Sequence, residues 1–273
     1  MAGTGLAEAG VGSLVLLGCG KMGQAMLEGW LKGGLPPAQV QVIDPYPSAW
    51  LKARVARGVT LNPAELAPAT IAVIAVKPQM MTQAAPRLAV LAGQGTVILS
   101  IAAGPPIATF EAMFGAGTPI IRAMPNTPAA VGRGIAALIG NDAASEAQMA
   151  MAEALLGAVG QTVRLDSEEQ MHAVTGLSGS GPAYVFHLIE AMAAAGAAAG
   201  LTPDLAMQLA RATVTGAGAL AGASPESAEQ LRVNVTSPGG TTAAGLAVLM
   251  PALVPLMTAT VAAATERSRE LAE

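Results

Sequence analysis

Up to Leu165, short apolar runs alternate with longer stretches in which apolar positions recur every three or four residues. Ser13–Gly18, Val40–Asp44, Ile71–Val76, Thr96–Ile101 and Pro119–Arg122 are brief, rich in Val and Ile, and apolar without a period of two. That pattern predicts strands buried on both faces, as in a parallel sheet covered by helices. Between them, Met22–Lys32, Pro47–Arg57 and Met80–Leu91 read as helices. The repeated strand–helix–strand order predicts an open parallel α/β sheet with right-handed crossovers. Ile135–Ile139 and Thr162–Leu165 are candidates to extend it, with a helix over Asp142–Val159 between them.

Beyond Leu165 the strand signals stop and helix punctuation takes over. Ser167 with Gln170 three residues on has the form of a capping box, and Glu168 and Glu169 fall in the first turn, where the helix dipole favours acids. Gly200 reads as a helix stop, and Thr202-Pro203 and Ser224-Pro225 read as N-cap and first helical residue. The chain is therefore expected to divide into a sheet domain over 1–165 and an all-helical domain over 166–273. Gly196 and Gly200, four apart, would let two helices of that domain approach closely.

Composition sharpens what the helical half is for. Of 273 residues, 52% are hydrophobic and only 12% charged, and the mean hydropathy is +0.52. The formal net charge of −4 leaves no basic field for a nucleic-acid backbone. Charge is missing altogether from Gln170 to Ile189 and again from Val233 to Thr265. Leu246–Ala264 has the length and hydropathy of a membrane span. Pro251 and Pro255 interrupt it, threonines dilute it, and no Lys/Arg cluster marks a cytoplasmic side, so burial against another protein surface is the favoured reading and a membrane the minor one. A single cysteine excludes a disulfide framework and fits a reducing compartment. The first twelve residues hold no Lys or Arg and include Glu8, so they do not read as a secretory signal, and a cytoplasmic location is expected.

The first expected strand runs into Gly18-Cys19-Gly20-Lys21-Met22-Gly23 and then into a helix. Glycines at this spacing permit a tight turn and let backbone N–H groups and a helix N-terminus meet a pyrophosphate. Asp44 closes the second expected strand, where a carboxylate hydrogen-bonds a ribose 2′-OH and repels a 2′-phosphate, favouring NADH. Cys19, without a second cysteine, reads as a small filler of the loop. His172 and His187 are the only histidines, and His187 reads as a packed residue; no cluster has metal-ligand spacing, so no metal is expected. All lysines (Lys21, Lys32, Lys52 and Lys77) precede the helical half. A Rossmann dehydrogenase that reduces a carbonyl commonly draws a proton donor from such a half, so a keto-acid substrate is disfavoured. A protonated imine needs less help, because its nitrogen already carries the proton.

Four stretches carry a resemblance: Ala75-Val-Lys-Pro78, Ile121-Arg-Ala-Met-Pro-Asn-Thr-Pro128, Val174-Thr-Gly-Leu-Ser-Gly-Ser-Gly-Pro-Ala-Tyr184 and Ser237-Pro-Gly-Gly-Thr-Thr242. In order and spacing the chain resembles the pyrroline-5-carboxylate reductases, which reduce a cyclic imine to L-proline with NADPH or NADH. The resemblance implies a Rossmann domain followed by a helical dimerisation domain, hence a homodimer, with a higher oligomer of dimers left open. It implies that Leu17, Gly18, Cys19, Gly20, Lys21 and Met22, together with Ala75, Val76, Lys77, Ala103 and Asn234, hold the cofactor, beside Gly23 and Asp44 already read from the glycine fingerprint. It implies that Ser237, Gly239, Gly240 and Thr241 hold the substrate carboxylate through the backbone, that Thr242 hydrogen-bonds the ring nitrogen as the catalytic residue, and that Glu168 lies near the substrate. Two departures stand out: Asp44 replaces the polar or small residue frequent in the family, and Pro251 with Pro255 replaces a charged turn in the last helix.

Overall fold

A computed structural model describes residues 5–272, so the start of the N-terminal stretch read against a signal, residues 1–4, lies outside the described residues. The strands are β1 (Leu14–Leu17), β2 (Val40–Ile43), β3 (Thr60–Leu61), β4 (Ile71–Ile74), β5 (Val97–Ser100), β6 (Ile120–Met124), β7 (Gly134–Gly140) and β8 (Gly160–Arg164). They form one sheet in the order β3-β2-β1-β4-β5-β6-β7-β8. From β3 to β6 every neighbour is parallel, and the order reverses between β1 and β4, the switch point beside which dinucleotides bind in such sheets.

The helices are α1 (Lys21–Lys32), α2 (Ala49–Val55), α3 (Met81–Ala84), α4 (Ile107–Phe114), α5 (Glu146–Gly157), α6 (Gln170–Val174), α7 (Gly181–Ala198), α8 (Pro203–Ala223), α9 (Ala228–Asn234) and α10 (Thr241–Glu270). Because successive strand residues face opposite ways, Leu14 and Leu16 pack with Met26, Leu27 and Trp30 of α1, Leu51 of α2 and Leu155 of α5. Val15 and Leu17 pack on the other face with Leu88 and with Phe110 of α4. Trp30 is fully buried and its indole N–H donates to the Leu155 carbonyl at 2.9 Å, tying two helices of one layer together.

Several expectations are corrected. The sheet is not wholly parallel: β6 and β7 pair antiparallel. The link between them is a short one through a 3-10 turn at Thr127–Val131, too short for a crossover, so the chain doubles back. The helix read over Met80–Leu91 breaks into 3-10 turns flanking α3, because Pro86 removes a donor and clashes inside a helix. The helix read from Asp142 starts at Glu146, where Ser145 and Gln148 form a reciprocal capping box. At Ser167 only half a box is seen: Gln170 Oε1 accepts from the Asp166 and Ser167 N–H groups, and α6 begins later, without a side-chain cap. Ser224 does not cap α9; it closes α8, and Ser227 caps α9 by accepting from Gln230 N–H. Pro251 and Pro255 do not end the last helix, which runs through both. Four residues apart, they fall on one face and remove two donors from it.

The chain forms two compact units, one made of the chain up to Gly179 with the segment from Ala264 onward, the other of Ser180–Ala263. The strands end at Arg164, one residue short of the expected 165/166 boundary, but α6 and the π-helical turn Thr175–Gly179 are counted with the sheet. So is the end of α10: His172 Nδ1 lies 3.1 Å from Ser268 Oγ, and Arg269 donates to Glu169 at 3.0 Å. In the helical unit, a Cβ on Gly196 would meet Ala206 at 3.2 Å, so Gly196 does serve close helix approach, whereas Gly200, at φ +103°, ends α7. Most large apolar side chains of this unit are exposed within the single chain, among them Phe186, Leu188, Leu220 and Val254. Among the described residues α10 alone has the length and composition of a membrane-crossing helix, and its most apolar window is unburied.

Candidate active site

The fingerprint loop leaves β1 where β2 and β4 also end. Gly18 N–H donates to the Ile43 carbonyl at 2.8 Å, and Ala75 N–H donates to the Leu17 carbonyl at 2.8 Å, so the three strand ends are laced together. The three glycines answer different needs. Gly18 sits at φ +90°, and a Cβ there would come within 2.8 Å of the Ala75 carbonyl and of Val76. A Cβ on Gly23 would strike the Gly18 carbonyl, so that glycine permits α1 to pack on the loop. Gly20, exposed, has open space where its Cβ would be. That open side adjoins the N-terminus of α1, which has no side-chain cap and whose first N–H groups have no partner within the helix. Space for a large group, unused donors and a positive helix end fit a dinucleotide pyrophosphate.

Asp44 stands beside this loop. Its Oδ2 accepts from Cys19 N–H and its Oδ1 from Tyr46 N–H, each at 2.7 Å. Its backbone is held by Asn62, whose amide accepts from Asp44 N–H at 2.8 Å and donates to the Asp44 carbonyl at 2.7 Å. Asn62 adopts φ +48°, a left-handed conformation that asparagine tolerates better than most residues. The carboxylate is thus buried and aimed before any ligand arrives. Burial, and secondly the nearby Asp44 charge, push the Cys19 thiol up to about 12, which leaves it protonated and fits its reading as a filler. Ala75 and Val76 are half-buried and Lys77 exposed at the end of β4. Ala103 is exposed in the loop that follows β5 at the same sheet edge, where Ile101 N–H donates to the Ile74 carbonyl at 3.0 Å.

In the helical unit, Ser237-Pro238-Gly239-Gly240 forms a tight turn: Gly240 N–H donates to the Ser237 carbonyl at 3.0 Å and Gly239 has φ +70°. Proline second and a left-handed glycine third are the signature of a type II turn. Gly240 N–H is therefore committed to the turn, and the donors left for an anion are those of the first turn of α10, which begins at Thr241. Thr241 and Thr242 are exposed there. Asn234 closes α9 with its amide N–H donating to Glu226 at 3.1 and 3.2 Å and its carbonyl accepting from Gln230 at 2.7 Å.

The structure thus brings Leu17–Gly23, Asp44, Ala75–Lys77 and Ala103 to one edge of the sheet unit, while Asn234 and Ser237–Thr242 belong to the helical unit. Glu168 belongs to the sheet unit, and its Oε1 accepts from Arg122 at 2.7 Å and from Ile107 N–H at 2.8 Å. His187 is not packed: it is exposed and pairs with Glu190 at 3.0 Å. Sequence reasoning missed Asn62, Asn126 and Arg122. Asn126 donates to the Ser178 carbonyl and hydroxyl at 3.3 Å and accepts from Ile135 N–H at 3.0 Å, fastening the π-helical turn to the sheet. A charged Arg122 inside an apolar strand run was the one visible signal, since a buried charge requires partners.

Comparison with known proteins adds the following. A family model described as pyrroline-5-carboxylate reductase dimerisation matches residues 168–271, and one described as NADP oxidoreductase, coenzyme F420-dependent, matches residues 13–104. A pyrroline-5-carboxylate reductase of Pseudomonas aeruginosa is 39% identical over 266 residues, covering 95% of this chain and 97% of that protein. The structure of a pyrroline-5-carboxylate reductase from Coxiella burnetii superposes with a TM-score of 0.90 at 32% identity, over 96% of this chain and 99% of that one. A Plasmodium falciparum pyrroline carboxylate reductase with NADP bound has a TM-score of 0.79 at 26% identity, over 96% and 98% of the two chains.

Proposed function

The chain belongs to the pyrroline-5-carboxylate reductase family, and from that premise we propose that it reduces 1-pyrroline-5-carboxylate to L-proline with a nicotinamide coenzyme. The observation that carries this reading is 39% identity along 95% of the chain to a reductase of that name. When bound, the coenzyme supplies hydride to the carbon of the C=N bond. The protein's own residues bind, orient and exclude water around the reacting groups.

Leu17, Gly18 and Cys19 carry the loop out of the sheet, the Gly18 and Cys19 N–H groups being committed to Ile43 and Asp44, and the pyrophosphate is received by the backbone donors of Gly20, Lys21, Met22 and Gly23 with the α1 dipole. Ala75, Val76, Lys77 and Ala103 line the coenzyme at the ends of β4 and β5, and Asn234 serves it from the helical region. Asp44 receives ribose hydroxyls on a carboxylate already fixed by two N–H donors, and this favours NADH over NADPH, because a 2′-phosphate would meet a buried negative charge. Ser237, Gly239, Gly240 and Thr241 shape the seat of the substrate carboxylate, whose donors come from the first turn of α10. The Thr242 hydroxyl accepts from the ring N–H and so orients the imine nitrogen, which carries its proton already; no side-chain acid is then required. Lys77 stabilises bound phosphate and is not the proton donor.

The dimerisation region matched from residue 168 supports a homodimer and a functional division near 165/166. We extend this to a soluble, cytoplasmic enzyme in which the apolar faces of α7, α8 and α10 are covered by a second copy rather than by lipid. The test of function is oxidation of NADH and NADPH in parallel, with pyrroline-5-carboxylate as acceptor. Turnover with at least one coenzyme is expected, and folded protein inert with both overturns the assignment.

A further inference from the structure

Arg122 is 1% exposed in β6 and none of the proposed chemistry uses it. Its guanidinium reaches across the sheet edge to two places. One terminal nitrogen donates to Glu168 Oε1 at 2.7 Å and the other donates to the Gly104 carbonyl at 3.0 Å. The same Glu168 oxygen accepts from Ile107 N–H at 2.8 Å, at the N-terminus of α4, where the N-cap is Pro106 and no side chain of the helix itself serves. Arg122's ladder partner is Ser100, the last residue of β5, and Ser100 Oγ accepts from Ala102 N–H at 3.3 Å. Ala102 N–H, the Gly104 carbonyl and Ile107 N–H are therefore all anchored, and the exposed residue they bracket is Ala103.

The arrangement is poorly explained as stabilisation. Arg122 Nε is buried without a hydrogen-bond partner among the described residues, which is unfavourable. Apolar residues of similar volume commonly match or exceed the stability of a buried ion pair. An arginine fork does one thing that they cannot: it fixes two acceptors in a plane at set distances. Gly104 at φ +102°, its Cβ position 2.9 Å from the Leu271 carbonyl, shows how little room the loop has to relax.

We propose that Arg122 and Glu168 are positioning residues that hold the Ala103 loop for the nicotinamide end of the coenzyme. The inference rests on the proposed placement of Ala103 beside the coenzyme. The adenine end, held by the fingerprint loop and Asp44, does not depend on the pair. Affinity for ADP-ribose, which lacks the nicotinamide, and for NADH is measured by calorimetry on the wild type and on Arg122→Lys, Glu168→Gln and Ala103→Leu. Lysine keeps the charge but loses the fork; glutamine keeps an acceptor for Ile107 but removes the countercharge. Arg122→Lys and Glu168→Gln are expected to bind ADP-ribose within twofold of wild type while the NADH Kd rises about tenfold, the equivalent of one or two loop anchors. Unchanged NADH affinity in variants that bind ADP-ribose normally overturns the inference, and so does equal loss of both ligands, which would assign the pair to the stability of the whole unit. Unchanged NADH affinity in Ala103→Leu instead overturns the placement of Ala103 itself, so the two failures are distinguishable.

Discussion

At the scale of single residues, Asp44 shows what a strand-end acid becomes once its surroundings are known. Its position after β2 was legible from spacing, but the Cys19 and Tyr46 N–H donors and the Asn62 clamp were not, because they depend on how three loops meet. A carboxylate held in this way cannot swing aside for a phosphate. Asp44→Ser should therefore raise the NADPH-to-NADH ratio of kcat/KM by about tenfold, and an unchanged ratio would show that the 2′ end is read elsewhere. Thr242→Ala should lower kcat/KM for the imine by roughly tenfold to a hundredfold with coenzyme Kd little changed. The opposite split would remove Thr242 from the reacting atoms. Cys19 gives a pH prediction. Its thiol is raised to about 12, above the unfolded value, so the folded state binds that proton more tightly. Stability from this group is fully present below the unfolded pKa and is lost as pH climbs toward 12. At pH 8 its thiolate fraction should be roughly a thousandfold below that of a free cysteine, seen as very slow alkylation of native protein; alkylation at the free-thiol rate would contradict the burial.

At the scale of elements, β7 and β8 meet through Gly134 and Gly160, which face each other in register. A Cβ on Gly160 would fall on the Gly134 backbone, so Gly160→Ala should destabilise the sheet unit by about 1–3 kcal/mol, read as a lower denaturation midpoint. An unshifted midpoint would mean that the edge pair separates at little cost. Legibility followed burial. β1, β2, β4 and β5 are buried at every position and announced themselves as short, mainly apolar runs without a period of two. β3, two residues long, leaves no pattern to see, and the reversal at β7 lay in the length of a connection rather than in the strand. Capping chemistry was misread where several candidates competed: Ser145 and Ser227 are the caps, while Ser224, read as a cap, accepts from Glu226 N–H in a turn. The fingerprint loop was legible because three backbone requirements fall on three glycines. The Arg122 pair was not, because its partners lie far along the chain.

At the scale of the whole molecule, the scarcity of charge has a place. Met250 and Val254, one turn apart on α10, are 47% and 70% exposed within the single chain. A surface of that kind on a chain carrying a dimerisation region is expected to be covered by the partner copy. Met250→Asp with Val254→Asp should shift sedimentation from dimer toward monomer and lower thermal stability, increasingly so on dilution; a wild-type chain that sediments as a monomer, or a double variant that remains a dimer, would defeat that account. One last feature bears on how the molecule is made. The sheet unit is closed by the end of α10, through Ser268 against His172 and Arg269 against Glu169, so the helical unit is an insertion within it. On the ribosome, residues 264–272 emerge after every residue of the insertion. The nascent chain must therefore finish its helical segment before these last contacts can fasten the sheet unit.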